Sequence, residues 1–140
     1  MKKLFFSLAI LVVSIFVSTE ATAQIEKGAK IEFNKETHDY GNIKYDADPY
    51  CTFEFKNTGD EPLIISNAKG SCGCTVPEWP KEPIAPGASG EINVEFNSKG
   101  KPGQQHKQVT VTANTTPTET FLVIKGTVRG KEQPVSKGGK

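Results

Sequence analysis

Scarcity defines this chain of 140 residues. It holds three cysteines, one tryptophan, one methionine and two histidines, His38 and His106. Neither histidine stands at a recognised ligand spacing from the cysteines, so structural zinc, which wants four ligands, has no pattern to rest on. There is no P-loop, no His-Glu-x-x-His and no Gly-x-Ser-x-Gly; Gly87-Ala88-Ser89-Gly90 is one residue short of the last and lies in turn-forming sequence. Hydrolase and nucleotide chemistry therefore lack a motif, no cofactor is expected, and no catalytic residue is assigned. Charge of one sign is also missing, since Lys and Arg total 17 against 16 Asp and Glu. Without a basic field, nucleic acid and anionic membrane surfaces are poor partners. A 3.6-residue apolar period is absent too, which excludes a helical architecture.

One apolar run does occur, at the start. Met1-Lys2-Lys3 is a short basic region, Leu4 to Val17 is apolar apart from two serines, and Ala21-Thr22-Ala23 places small residues at the cleavage-determining positions. This is the pattern of a secretory signal peptide over residues 1–23. The run is about 14 residues, short of the roughly 20 that cross a bilayer as a helix. No later stretch is longer, so no membrane span is expected after cleavage. No cysteine stands at the cleavage site to carry a lipid. The expected location is exported, periplasmic or extracellular.

Beyond the leader the period is two. Ile31 and Phe33 alternate with Lys30 and Glu32. In Tyr50-Cys51-Thr52-Phe53-Glu54-Phe55 the residues Cys51, Phe53 and Phe55 share one face. Glu91-Ile92-Asn93-Val94-Glu95-Phe96 and Gln108-Val109-Thr110-Val111-Thr112 repeat the alternation. Half-buried antiparallel strands read this way. Leu63-Ile64-Ile65 and Phe121-Leu122-Val123-Ile124 read as more fully buried strands. Asn57-Thr58-Gly59-Asp60, Pro86-Gly87, Lys99-Gly100-Lys101-Pro102-Gly103 and Asn114-Thr115-Thr116-Pro117 supply the turns between them. The expected fold is all-β, a seven-stranded immunoglobulin-like antiparallel β-sandwich over residues 24–128. Residues 129–140, rich in Gly, Lys, Pro and Ser, are expected to form a flexible tail.

Several of these segments together carry a resemblance. Asp39-Tyr40-Gly41-Asn42-Ile43, Phe53-Glu54-Phe55-Lys56-Asn57-Thr58-Gly59, Pro62-Leu63 with Ile65, Ser71-Cys72-Gly73-Cys74-Thr75, Ile84-Ala85-Pro86-Gly87, Asn114 and Ile124-Lys125-Gly126 follow one another in this order. The combination resembles the bacterial domain-of-unknown-function family 1573, related to the Hydin-like, ASH-type immunoglobulin-fold domains. The likeness spans about residues 31–128. It implies a seven-stranded sandwich in an exported, typically Gram-negative envelope protein, and it implies no activity. Cys51 is not part of that pattern.

The cysteines are the residues that could carry chemistry. Export permits disulfides, and an odd count leaves one thiol over. A bridge from Cys51 to Cys72 or Cys74 would close a loop of roughly 22 residues and be worth about 3 kcal/mol if unstrained. That bridge requires Cα atoms within about 7 Å. A Cys72–Cys74 bridge would close a small ring, which Gly73 could help to buckle. Two thiolates one residue apart could also hold a soft ion such as Cu(I), making Cys72 and Cys74 the metal candidates. The remaining alternative is structural, with small buried side chains at a bulge.

Trp79, in Pro77-Glu78-Trp79-Pro80, is either a partner-binding anchor on a stiff loop or a cap on the core edge. Asn114-Thr115-Thr116 matches a glycosylation sequon by coincidence. The function these features support is a non-catalytic envelope module that binds an unidentified envelope or extracellular protein, for instance by accepting a strand at a sheet edge. The alternative is thiol redox or copper handling through Cys72 and Cys74, with Cys51 as a third participant.

Overall fold

Alternation dictates which side chains meet. In the computed structural model, which describes residues 27–131, the period-two segments become strands whose inward residues face one another across two sheets. Eight strands form among the described residues: β1 (Ile31–Phe33), β2 (Thr37–Ile43), β3 (Tyr50–Asn57), β4 (Ile65–Gly70), β5 (Thr75–Glu78), β6 (Ser89–Phe96), β7 (Gly103–Ala113) and β8 (Glu119–Val128). One sheet has the order β1-β3-β6-β5 and the other β2-β8-β7-β4. Phe53, Phe55, Ile92, Val94 and Phe96 of the first pack with Val109, Val111, Leu122 and Ile124 of the second, all buried. Burying each such side chain contributes about 1.5–3 kcal/mol, so this layer outweighs any single polar contact in the molecule.

The all-β sandwich is as expected, with specific differences. There are eight strands rather than seven, and one pairing is parallel: Thr37 of β2 lies beside Val123 of β8, and Ile43 beside Val128. The parallel pair arises because the chain changes sheets between β1 and β2, so β2 enters along the flank of β8. Leu63-Ile64-Ile65 is not one buried strand. Leu63 bridges Ile84, Ile64 is exposed, and only Ile65 begins β4. Phe121-Leu122-Val123-Ile124 alternates instead of burying throughout, with Phe121 49% exposed and Leu122 fully buried. The leader expected at residues 1–23 and most of the tail expected at 129–140 lie outside the described residues. No helix among the described residues is long and apolar enough to cross a membrane.

Every sheet edge is blunted. β1 is three residues long. β2 shifts register between Asp39 and Asn42, where Gly41 takes a φ of 65° and donates its N–H to Asp39 Oδ1 at 2.8 Å. β4 shifts register between Ile65 and Asn67. β5 has four residues and contains Pro77. The carbonyl of Cys74 accepts the Asn97 N–H at 2.8 Å, which makes Cys74, Val76 and Glu78 the residues whose backbone groups face β6. Pro77 therefore stands where an N–H would point outward. Shortness, bulges and proline are the usual defences against strand addition.

Candidate functional site

The segment between β4 and β5 turns the chain from one sheet to the other at Ser71-Cys72-Gly73-Cys74. Cys72 and Cys74 are joined by a disulfide, with Cα atoms 5.2 Å apart. An extended strand would hold residues two apart at about 6.5 Å, so the turn itself supplies the shortening. Three backbone contacts fix it. The Ser71 N–H donates to the Gln108 carbonyl at 2.8 Å, the Thr75 N–H donates to the Cys72 carbonyl at 3.1 Å, and the Asn97 N–H holds the Cys74 carbonyl. Ser71 Oγ accepts the Gln108 N–H at 3.1 Å.

Glycine is needed at position 70, where a Cβ would run into the Thr75 backbone, and not at position 73, where it would meet open space. Cys74 is buried and Cys72 is half-buried. The buried Thr75 hydroxyl lies 3.6 Å from Cys72 Sγ and 3.9 Å from Cys74 Sγ.

Cys51 is not part of this corner. It is a free, buried thiol on β3. The bridge from Cys51 to Cys72 or Cys74 is thereby corrected: β6 lies between β3 and β5, and Cys51 sits opposite Val94, several residues from the corner. Burial pushes the Cys51 thiol up, partly offset by a contact from the Tyr40 hydroxyl and by the Lys35 charge. Burial likewise raises Tyr40, with Cys51 as a further cause. A protonated, buried thiol is a poor nucleophile. As metal candidates, Cys72 and Cys74 have their sulfurs engaged with each other, and no group of three or more His, Cys, Asp or Glu among the described residues is arranged to hold an ion.

Trp79 sits at the core edge. Its Nε1–H donates to the Ile65 carbonyl of the opposite sheet at 3.2 Å, and Lys81 Nζ lies 3.0 Å over its ring. Its polar handle and one ring face are engaged within the molecule, and the half-buried side chain also lines a groove with Glu54 and Glu78. The two histidines are apart: His38 on β2 meets Tyr40 edge-on, with ring centroids 4.6 Å apart, and His106 is exposed on β7. Burial and Lys35 lower the His38 pKa against the opposing pull of Asp39.

Asn114 is not presented for glycosylation. Its Oδ1 accepts the Ile64 N–H at 2.7 Å and its Nδ2 donates to the Pro62 carbonyl at 3.0 Å. Asn57, fully buried, accepts from Lys30 and Gly59 and donates to the carbonyls of Glu61 and Ile84 at 2.8 and 2.9 Å. These two asparagines staple the end of the sandwich opposite the cysteine corner.

One feature escaped the sequence reading. The outward positions of β1, β3, β6 and β5 carry Glu32, Glu54, Glu78, Glu91 and Glu95 against a single Lys56, all exposed. Glu54 lies directly opposite Glu91. Tyr50, Glu95 and Val76 form one row across three strands, with Tyr50 74% and Val76 53% exposed. The signal was present in the polar halves of the same alternating segments. Only the strand order shows that these halves share one face.

The chain belongs to domain-of-unknown-function family 1573. The family's sequence model, described as "Protein of unknown function (DUF1573)", matches residues 31–128. No curated protein matches. Among solved structures, a protein of unknown function from Porphyromonas gingivalis W83 is similar at a TM-score of 0.63 and 12% identity, over 78% of this chain and 51% of that one. The ASH/PapD-like domain 7 of human CEP192 is similar at a TM-score of 0.58 and 10% identity, over 74% of this chain and 87% of that one. The secreted serine protease VesC from Vibrio cholerae is similar at a TM-score of 0.54 and 12% identity, over 74% of this chain and 23% of that one. The chain thus spans about half of the first of these structures. At such identities the likeness establishes an immunoglobulin-like, PapD-like fold.

Proposed function

We propose that this member of the family is a non-catalytic binding or assembly module of the bacterial cell envelope, exported by the leader at residues 1–23. We further propose that it engages a protein partner through the outer face of the β1-β3-β6-β5 sheet. One observation carries this: that face gathers five glutamates against one lysine, and it leaves Tyr50 and Val76 uncovered in a single row. Like charges directly opposite in a sheet, as at Glu54 and Glu91, cost stability rather than add to it. Glu54 accepts one hydrogen bond, from Asn34 Nδ2 at 2.8 Å, and all five glutamates are exposed rather than packed. Exposed apolar side chains set among charges of one sign favour a partner that offers apolar contacts and Lys or Arg. The blunted edges argue against the strand-addition route, which leaves the face as the better surface.

Photo-crosslinking in the native cell tests this. A crosslinker at position 50 or 76 should give a defined protein adduct that weakens on Glu54→Lys with Glu91→Lys. A crosslinker at position 121, on the opposite sheet, should give none. Adducts from position 121 alone, or charge-insensitive adducts everywhere, would refute the assignment. Fractionation of the same cells should recover the chain outside the cytoplasm; retention inside would refute export.

A further inference from the structure

The disulfide at the β4–β5 corner ties two residues that the chain already holds close together. It joins residues only two apart, so it removes little chain entropy from the unfolded state. The corner is already held by Ser71 on Gln108, Thr75 on Cys72 and Asn97 on Cys74. Accessibility is graded between the sulfurs' residues: Cys72 is half-buried and Cys74 is buried in the core cluster. Between them Gly73 is exposed, and a Cβ there would meet nothing within 4 Å apart from its chain neighbours. Behind them stands the Thr75 hydroxyl, buried, within reach of both sulfurs and with no other side-chain hydrogen bond among the described residues. A hydroxyl in that position can donate to whichever sulfur becomes a thiolate.

We propose that Cys72–Cys74 is a thiol–disulfide exchange site that takes electrons from a dithiol, with Cys72 as the sulfur attacked. One thiolate of the dithiol attacks Cys72 Sγ. The Cys72–Cys74 bond breaks, and its electron pair leaves on Cys74 Sγ, where the Thr75 hydroxyl donates to it. The second thiolate of the dithiol then attacks the dithiol's own sulfur in the mixed disulfide and expels Cys72. The dithiol departs as its disulfide, oxidised by two electrons. Its two protons end on Cys72 and Cys74, which are left as thiols. Cys51, on the far side of β6, takes no part. The assignment does not depend on the partner-binding face.

The test uses the full chain in native buffer with dithiothreitol as the dithiol, followed by alkylation, intact mass and peptide mapping. The expected result is label on Cys72 and Cys74, none on Cys51, and an unchanged far-UV circular dichroism spectrum. Label appearing only after denaturant would overturn the proposal. The direction of attack is read from single variants. Cys72 in Cys74→Ser should react with an aromatic disulfide roughly 10-fold faster than Cys74 in Cys72→Ser. Equal or reversed rates would overturn the assignment of Cys72. Thr75→Val should slow reduction several-fold and Thr75→Ser should restore it; identical rates in all three proteins would remove Thr75 from the step.

Discussion

The two ends of this sandwich are tied by different chemistry. At one end the side chains of Asn57 and Asn114 add hydrogen bonds to the backbone bonds around β3, β4 and the Ile84 segment. At the other, a covalent bond closes a turn that backbone hydrogen bonds already fix. The weaker kind of bond carries the greater structural burden, because a buried amide links segments far apart in sequence. Asn57 joins Lys30 to Ile84, whereas the disulfide joins neighbours. A covalent bond across so short a loop adds little chain-entropy stabilisation to the turn it closes.

Loss of the buried amide should be the largest effect. Asn57→Ala takes the acceptor from the Gly59 amide and the donors from the buried Ile84 carbonyl and the part-buried Glu61 carbonyl, so a loss of roughly 3 kcal/mol is expected, read from urea unfolding midpoints. Asn57→Asp keeps the acceptor, loses the donors and should recover little. Next comes Asn114→Ala, at about 1–2 kcal/mol, because Asn114 is exposed and water can replace part of what it gives to Ile64 and Pro62.

The double change Cys72→Ser with Cys74→Ser should cost about 1 kcal/mol or less, since a loop this short holds little entropy to release. Thermal unfolding of the three proteins side by side would break the comparison if the cysteine variant fell below Asn57→Ala.

Most of the layers were legible because alternation is local. Cys51, Phe53 and Phe55 declare an inward face from six residues of sequence, and Cys51 is indeed buried. β2 was not legible as a strand: Thr37-His38-Asp39-Tyr40-Gly41-Asn42-Ile43 has one buried residue and a left-handed glycine, and its partner β8 lies some eighty residues on. β5 was masked by Pro77, a residue that argues against a strand except at the outward position of an edge, which is where it stands. Pairing among the cysteines depended on strand order. Their spacing leaves three pairings open, and the place of β6 between β3 and β5 decides against both that involve Cys51. The acidic face was missed for the same reason, since its glutamates come from four separate strands.

The smallest effect belongs to the third cysteine and concerns pH. Burial raises the Cys51 thiol above its ordinary value of 9.0, so the folded state prefers the protonated form more than the unfolded chain does. The linked stability is therefore fully present below about pH 9 and declines as pH rises toward the folded-state value. Tyr40, raised for the same reason and in contact with Cys51, adds to the slope at still higher pH. Unfolding midpoints measured from pH 7 upward should fall across the alkaline range. Cys51→Ala should be less stable at neutral pH, because a packed sulfur is lost, yet show a shallower alkaline decline. Cys72→Ser with Cys74→Ser should keep the wild-type slope, because the bridged sulfurs carry no proton to lose in either state. Equal slopes in wild type and Cys51→Ala would mean that the buried thiol is not what separates the interior of the sheet from its corner.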